Sequence, residues 1–583
     1  MNVSGYREQH KVDLCVIGGG MAGICAAISA ARHGVQVVLM HDRPVLGGNA
    51  SSECRMWIRG AASADFNYRE SGIVQEIELE NIYRNPTMNY SIWDSVLYQS
   101  VANEPNITLL LNCSCMGCEI NGDRIFSVTG WQLNSYTFHT VYADIFADCS
   151  GDSILADLCG APYRVGREAK FEFHEYGAPD VADRYTMGST CLIEARETDH
   201  KCEFTPPDWA YIYPDDESMY LKQHNVPKTN FWWIEIGGEQ DTIRDAQSIN
   251  EELIKTAYGI WDHIKNRGDH GMENWELEWI GFLPGKRESR RYEGAYTLTQ
   301  NDLEYGTQFE DAVAYGGWTM DNHSPKGFQY SGYSSVHIKP KVPYQIPFRS
   351  LYSLAVSNLM FAGRNISATH MAMSSTRVMA TCAVMGQAVG LGAALAVQHG
   401  CLPDGITKNY IKELQHHLQF DGCYIPDLLR TIRKDSYPTL TEVQIDILTN
   451  GWERPHDGKE NTVSFSDGDG LVIDMKQPAK VLRLALDPDF SRKSISDDQK
   501  SQVFAMRSHI FLSEATVKMP ANMLRSCKIV FITDSREKSE IHVNENRSPR
   551  LFFEIPSKTM QIQIQNMHSW GQKEVKLFSC EVQ

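Results

Sequence analysis

Six consecutive residues, Gly18-Gly19-Gly20-Met21-Ala22-Gly23, carry glycines at the spacing G-x-G-x-x-G. The spacing removes side chains from a stretch of backbone, so a diphosphate can come close to its N–H groups. Other side chains in the chain can move protons or hold anions. His323, in "GGWTMDNHSP", and His370, in "ISATHMAM", belong to the one residue type that ordinarily titrates near neutral pH and so suits general acid–base work. Arg55 and Arg290 are cations that suit a carboxylate or a carbonyl gaining negative charge. In the competing reading each histidine is an ordinary hydrogen-bonded loop residue, and the cluster "KRESRR" around Arg290 is a solvated surface.

The glycines need a strand before them and a helix after them. Val12–Ile17 reads as a buried strand and Met21–Arg32 as an Ala-rich helix; Gly34 then ends the helix before a second strand, Val35–Met40. In this βαβ unit Gly18 makes the tight turn, Gly20 lets a pyrophosphate approach, and Gly23 lets helix pack on strand. The helix N-terminus offers free N–H groups and the positive end of its dipole. After the second strand, where an acidic residue usually takes the ribose hydroxyls of a dinucleotide, stands His41 followed by Asp42. An imidazole can also hydrogen-bond a diol.

A chain of 583 residues implies two or three domains. Its 55 basic against 73 acidic residues give a net charge of −18, which with the lack of any Lys/Arg-rich run argues against a nucleic-acid partner. "MNVSGYREQHK" holds no apolar stretch of the secretory kind, so a cytoplasmic protein is expected. The fifteen cysteines are odd in number and fall largely in apparent strands and helices, so they read as reduced. Cys113, Cys115 and Cys118 are the one cysteine cluster that could bind metal, but Cys113 and Cys115 alternate along an apparent strand with no matching His or Cys pair nearby, so the three read as small buried hydrophobes and no metal site is expected. "ATCAVMGQAVGLGAALAV" (Ala380–Val397) is long enough to cross a bilayer, but its Ala/Gly richness and Gln387 favour a core helix, N-capped by Ser374 or Ser375 and stopped by Gly400. Gly386, Gly390 and Gly392 would let it press on another backbone or on a ligand.

Two later segments repeat the strand–turn–helix theme: "VYADIFADCSGDSILADLCGA" from Val141, and "NLMFAGRNISATHMAMSSTRVMATCAVMGQAVG" from Asn358. Together with "DRPVLGGNASSECRMW", "GFLPGKRESRRYEGAYTLTQNDL" and "YQIPFRSLY", these phrases resemble, over roughly the first 430 residues, the FAD-dependent oxidoreductase family, whose FAD domain is of the two-dinucleotide-binding type and which is distantly fumarate-reductase-like. The resemblance implies FAD on Gly18, Gly20 and Gly23, with His41 or Asp42 toward the adenosine and Gly47, Gly48 and Asn49 under the flavin. It assigns Gly151 and Asp152 to the second nucleotide strand and Gly363 and Arg364 to the late strand. Arg364 departs from the acidic residue common there and would more naturally face pyrophosphate. Flavin accepts a hydride, which gives His323, His370, Arg290 and Arg55 their candidate roles at a hydroxylated substrate.

The expected architecture is α/β: a Rossmann-like FAD-binding domain (residues 1–162 and 343–437), an inserted α+β substrate domain (163–342) and a C-terminal all-β sandwich (438–583). The insert holds Trp232, Trp233, Trp261, Trp275 and Trp279, which suit sugar stacking or core packing alike. From Pro438 onward the chain reads as short alternating strands and resembles a discoidin-like sandwich, able to bind glycans, cap the fold or mediate contact with a like subunit. The expected function is hydride transfer from a sugar, glycoside or related hydroxylated compound. Alternatives are a C=C reductase or dehydrogenase of a carboxylate, and a carbohydrate-binding protein with structural FAD. No second nucleotide fingerprint is present, so a quinone, protein carrier or dioxygen is a better electron acceptor than a nicotinamide.

Overall fold

The apolar run before the glycines is the buried end of a twelve-residue strand, β1 (Tyr6–Ile17). It leads into α1 (Met21–Arg32), which is buried at every residue but Arg32 and therefore has protein on all sides. The computed structural model describes residues 5–61, 68–225, 229–268, 270–456, 458–488, 507–513 and 516–583. β2 (Val37–Met40), β3 (Ile107–Leu110), β4 (Cys113–Asn121), β5 (Arg124–Gln132) and β6 (Thr137–Asp148) complete a sheet of order β3-β2-β1-β6-β5-β4. The far edge of β6 is shared: β5 runs antiparallel along its first half, and Leu359–Phe361 runs parallel along its last three residues.

Register decides where the loops go. Ile17 pairs with Met40 and with Asp148, and Asp148 pairs with Phe361. With Leu110 of β3 paired to Met40, five parallel strands thus stop at one edge, and Gly18, His41, Cys149 and Ala362 leave four of them side by side. The crevice beyond the carboxyl ends of such strands is the usual ligand site of an open α/β sheet.

Helix Met379–Gln398 packs across α1. A Cβ on Gly386 would stand 2.0 Å from the Ala22 carbonyl oxygen, and one on Gly390 would stand 2.1 Å from that of Ala26, so the two backbones touch. Gly392 makes room for the Phe348 ring instead. The helix is long and apolar enough to cross a membrane, yet its most apolar stretch is 94% buried inside the protein. Ser374 and Ser375 are not its N-cap. They lie within a separate helix, His370–Thr376, whose start Thr369 caps by accepting from the Ala372 N–H.

The insert builds small antiparallel sheets: Ser189–Thr190 between Glu235–Ile236 and Gly285–Lys286, and Ile193–Glu197 beside Trp275–Ile280. Trp233, Trp261 and Trp275 join Ile249, Leu253 and Ile260 of helix Ala246–Asn266 in an apolar core of their own. The "KRESRR" cluster is not a solvated surface, for Arg287, Glu288, Ser289 and Arg291 are all buried. All fifteen cysteines are free thiols.

The C-terminal part is a sandwich of two four-stranded antiparallel sheets. Its first segment is helical rather than stranded. Thr441 and Gln444 form a capping box that starts helix Glu442–Thr449, and local capping outweighs the β-branched residues that read as strand. Buried charges fasten the sandwich to the body. Glu453 takes Arg483 and Arg430, Glu581 takes Arg430 at 2.6 Å and Arg483 at 3.1 Å, and Arg483 also donates to the Phe420 carbonyl at 2.7 Å. Burial alone would raise the Glu453 carboxyl; Arg483, Arg430 and Arg550 overcome it and hold it well below the ordinary range.

The backbone contact yields a test. Gly386→Ala or Gly390→Ala should cost about 1–3 kcal/mol by overpacking and should lower the thermal midpoint. Gly117→Ala, where a Cβ meets only Thr129 Cβ at 3.7 Å, should stay within about 0.5 kcal/mol. Calorimetry of the three variants checks this.

Candidate active site

Beyond the aligned strand ends lies a cavity of about 890 Å³. Gly18, Gly20, Met21 and Ala22 of the glycine turn form part of its wall, and Gly47, Gly48 and Asn49 face them. The turn has no space for side chains. A Cβ on Gly18 would meet the Cys149 backbone at 2.5 Å, and one on Gly23 would meet the Gly18 carbonyl oxygen at 1.8 Å. Gly20 caps α1 without a side-chain acceptor, so the first-turn N–H groups of the helix remain for a ligand. The Gly47 N–H donates to the Gly19 carbonyl at 2.8 Å, which seats the second glycine loop on the first. This side-chain-free cradle fits a dinucleotide diphosphate.

His41 lines the cavity, and both of its ring nitrogens are engaged within the chain. It is buried, its Nδ1 accepts the Gly19 N–H at 2.9 Å, and its Nε2 donates to the Val45 carbonyl at 3.0 Å. Burial lowers the imidazole from 6.5 to about 4, against the attraction of Asp42. A neutral ring is what the Gly19 contact requires, because a protonated Nδ1 could not accept. His41 therefore braces the glycine turn, and it and the exposed Asp42 both line the cavity.

At the second and third strand ends, Gly151 and Gly363 adopt positive φ angles of 76° and 117°. Asp152 accepts from Lys286 at 2.7 Å, Arg364 at 2.8 Å and Ser289 at 2.8 Å. Burial would raise its carboxyl, yet Arg364 and Lys286 pull it well below the ordinary range. Arg364 lies across Gly151, where any Cβ would come within 2.7 Å of the guanidinium carbon.

The candidate proton-handling residues separate. His323 lines the cavity, on a short strand (Met320–His323) rather than in a loop. Its Nδ1 is 2.6 Å from the buried Glu235 carboxylate and its Nε2 is 3.2 Å from Asp321. For both carboxyls burial is the largest influence and acts upward; Arg287 and His323 reverse it for Glu235, and His323, Arg377 and His337 reverse it for Asp321. The Trp232 ring meets the imidazole edge-on at 5.4 Å. His370 does not line the cavity. It is buried at the start of its helix, bonded to Glu288 at 3.0 Å and, through Nε2, to Asn322 at 2.9 Å. Arg55 pairs with Glu194 and lies over the Trp279 ring, and Arg290 pairs with Asp157 over Tyr163; neither lines the cavity.

Sequence reading overlooked much of the wall. Asp321 and His323 are two apart on a strand and so share a face, a signal present in "MDNH". Arg287, Arg377, Trp57 and Trp318 of the wall carry no local signature, since they come from four separate segments, and neither does Glu235, buried against His323. Six cations line the cavity of this acidic chain, namely Arg43, Arg59, Lys286, Arg287, Arg364 and Arg377.

The FAD dependent oxidoreductase family matches residues 13–418. No curated protein matches the chain. Among solved structures it is similar to a geranylgeranyl bacteriochlorophyll reductase-like protein from Thermoplasma acidophilum, at 11% identity and a TM-score of 0.33 over 71% of this chain and 86% of that one. It is also similar to the OxyS anhydrotetracycline hydroxylase of Streptomyces rimosus, with 10% identity, TM-score 0.33 and coverages of 70% and 67%. Escherichia coli quinol fumarate reductase gives 10%, 0.27, and 70% and 74%. These distant likenesses carry no functional argument.

The His41 geometry predicts an acid-sensitive brace. With a folded-state pKa near 4 against 6.5 when free, its contribution is complete above pH 6.5 and is lost as pH falls toward 4. The loss should reach roughly 3 kcal/mol. Urea midpoints of wild type and His41→Gln should converge across that window; parallel curves would show that the imidazole is not the titrating group.

Proposed function

Given that the chain belongs to the FAD dependent oxidoreductase family, we propose that it oxidises a hydroxylated small molecule of the sugar or glycoside kind, with His323 taking the hydroxyl proton. The observation that carries this reading is the pairing of the cavity-lining His323 with the buried Glu235. FAD, when bound, supplies a two-electron acceptor for hydride. Gly18, Gly20 and the first turn of α1 would hold its diphosphate, with Gly47–Asn49 opposite.

Glu235 accepts the Nδ1 proton of His323, which fixes the ring and leaves Nε2 as the proton acceptor. The same carboxylate stabilises the imidazolium once the proton has been taken up. Asp321, 3.2 Å from Nε2, gives that proton a second carboxylate on the cavity wall. Arg377 donates to the Asp321 backbone carbonyl at 3.2 Å and holds this residue in place. Arg287 donates to the Trp232 carbonyl at 2.7 Å and is a fixed cation for an oxygen on which negative charge develops. Trp57, Trp232 and Trp318 offer faces for a sugar ring. His370 acts as a positioning residue, holding Asn322 between Asp321 and His323.

The cavity arginines favour a second reading, reduction or dehydrogenation of a C=C bond in a carboxylate. Anaerobic addition of sugars, glycosides and small dicarboxylates to the FAD-loaded protein separates the two by which class bleaches or reoxidises the flavin. Binding without any redox change would leave FAD a structural role and sink both. His323→Gln should slow flavin reduction about 10²–10⁴-fold while FAD content stays unchanged; stopped-flow absorbance against a bound-flavin assay checks this.

A further inference from the structure

The chain from Thr198 to Ile234 contains, among the described residues, neither helix nor strand. Segments longer than about 12–15 residues with no secondary structure of their own are uncommon in a folded body. This one ends at Glu235, the partner of His323, so whatever holds it also holds the cavity wall.

Three imidazoles meet over it, away from the cavity: His224 from the segment itself, His263 from the last turn of helix Ala246–Asn266, and His270 just beyond. Their ring centroids are 5.1 Å (224 to 263), 4.7 Å (224 to 270) and 4.9 Å (263 to 270) apart. One nitrogen of each ring faces a backbone carbonyl: His263 Nδ1 that of Tyr213 at 2.8 Å, His224 Nδ1 that of Lys222 at 2.8 Å, and His270 Nε2 that of Arg267 at 3.1 Å. A carbonyl only accepts, so these nitrogens carry the protons, and in the neutral ring the opposite ones carry lone pairs.

The lone-pair nitrogens of two rings then face a carboxylate. Asp216 Oδ1 is 3.2 Å from His263 Nε2 and 3.5 Å from His224 Nε2. Acceptors set against acceptors hold either a proton or a metal cation between them, and a carboxylate ringed by three imidazoles suits the metal. One ligand atom from each of Asp216, His224, His263 and His270 lies within 4.8 Å of the others.

The geometry points to a structural zinc site formed by Asp216, His224, His263 and His270. Tetrahedral zinc with N and O bonds of ~2.0–2.2 Å has ligand–ligand edges of ~3.3–3.6 Å, which the two Asp216 contacts already approach. Three imidazoles and one carboxylate suit zinc rather than calcium or magnesium, whose ligands are oxygens. The three carbonyl acceptors are the outer partners that fix tautomer and ring orientation in a metal-bound histidine. Four protein ligands leave no open position, so the ion clips the segment to the helix rather than taking part in chemistry. The sequence pattern hides this site, because its ligands lie far apart and two of them stand alone in an irregular stretch.

The test loads the full-length protein with excess zinc sulfate, dialyses it against metal-free buffer, and measures zinc and FAD in the same sample. About one zinc per chain is expected in wild type, and less than a tenth of that in the double variant Asp216→Ala/His224→Ala with FAD content unchanged. Zinc-free wild type, or full zinc in the double variant, overturns the assignment. Should the variant fail to fold, X-ray absorption at the zinc edge of the wild type decides: a first shell of nitrogen and oxygen with imidazole scattering is expected, and sulfur in that shell overturns it.

Discussion

The parallel register that stops β1, β2, β6 and Leu359–Phe361 at one level is the constraint on which the rest of the structure depends. Because Ile17, Met40, Asp148 and Phe361 are neighbours, turns from four regions of the chain open into one crevice. That level is kept by contact of backbone with backbone. α1 can follow Gly18 only because Gly23 has no side chain, and helix Met379–Gln398 can cross α1 only because Gly386 and Gly390 have none. Interiors packed this tightly transmit small displacements, so the helix crossing and the cradle behave as one unit.

Charge is distributed against the overall balance. A chain of net charge −18 gathers six cations around one cavity, and neighbouring acids hold several of them in place. Asp152 holds Lys286 and Arg364, Glu235 lies 3.4 Å from Arg287, and Asp321 lies 3.5 Å from Arg377. Paired in this way, buried charges keep fixed directions, and such preorganisation is what an anionic ligand or a developing oxyanion requires. His370 and Arg291 extend the arrangement one layer deeper through Glu288 and Glu168. The strand carrying Asp321 and His323 therefore rests on a polar network rather than on apolar packing alone.

The sandwich is joined to the body by charge as well. Arg430, Arg483 and Arg550 surround Glu453 and Glu581, and Arg550 also donates to Gln75 at 3.1 Å on the helix that follows the first glycine loops. Such a buried cluster fixes orientation, because removing one member strands the others without water. The sandwich thus stands in a set relation to the dinucleotide-binding part, as a structural cap would.

Local spacing was enough for the sequence to determine the βαβ unit, the glycine cradle, the buried rather than membrane-spanning helix and the all-β texture of the C-terminal part. Each of these depends on residues within one or two turns of each other, where steric exclusion and periodicity act directly. Tertiary structure alone decided that His41 braces the turn, that His323 and not His370 reaches the cavity wall, and that Arg287 rather than Arg290 faces it. It also brought Glu235, Asp321 and Arg377 to one imidazole, and Asp216 to three others. Those groupings depend on register and long-range packing, and a side chain's partner across hundreds of residues leaves no periodic trace in the chain that carries it.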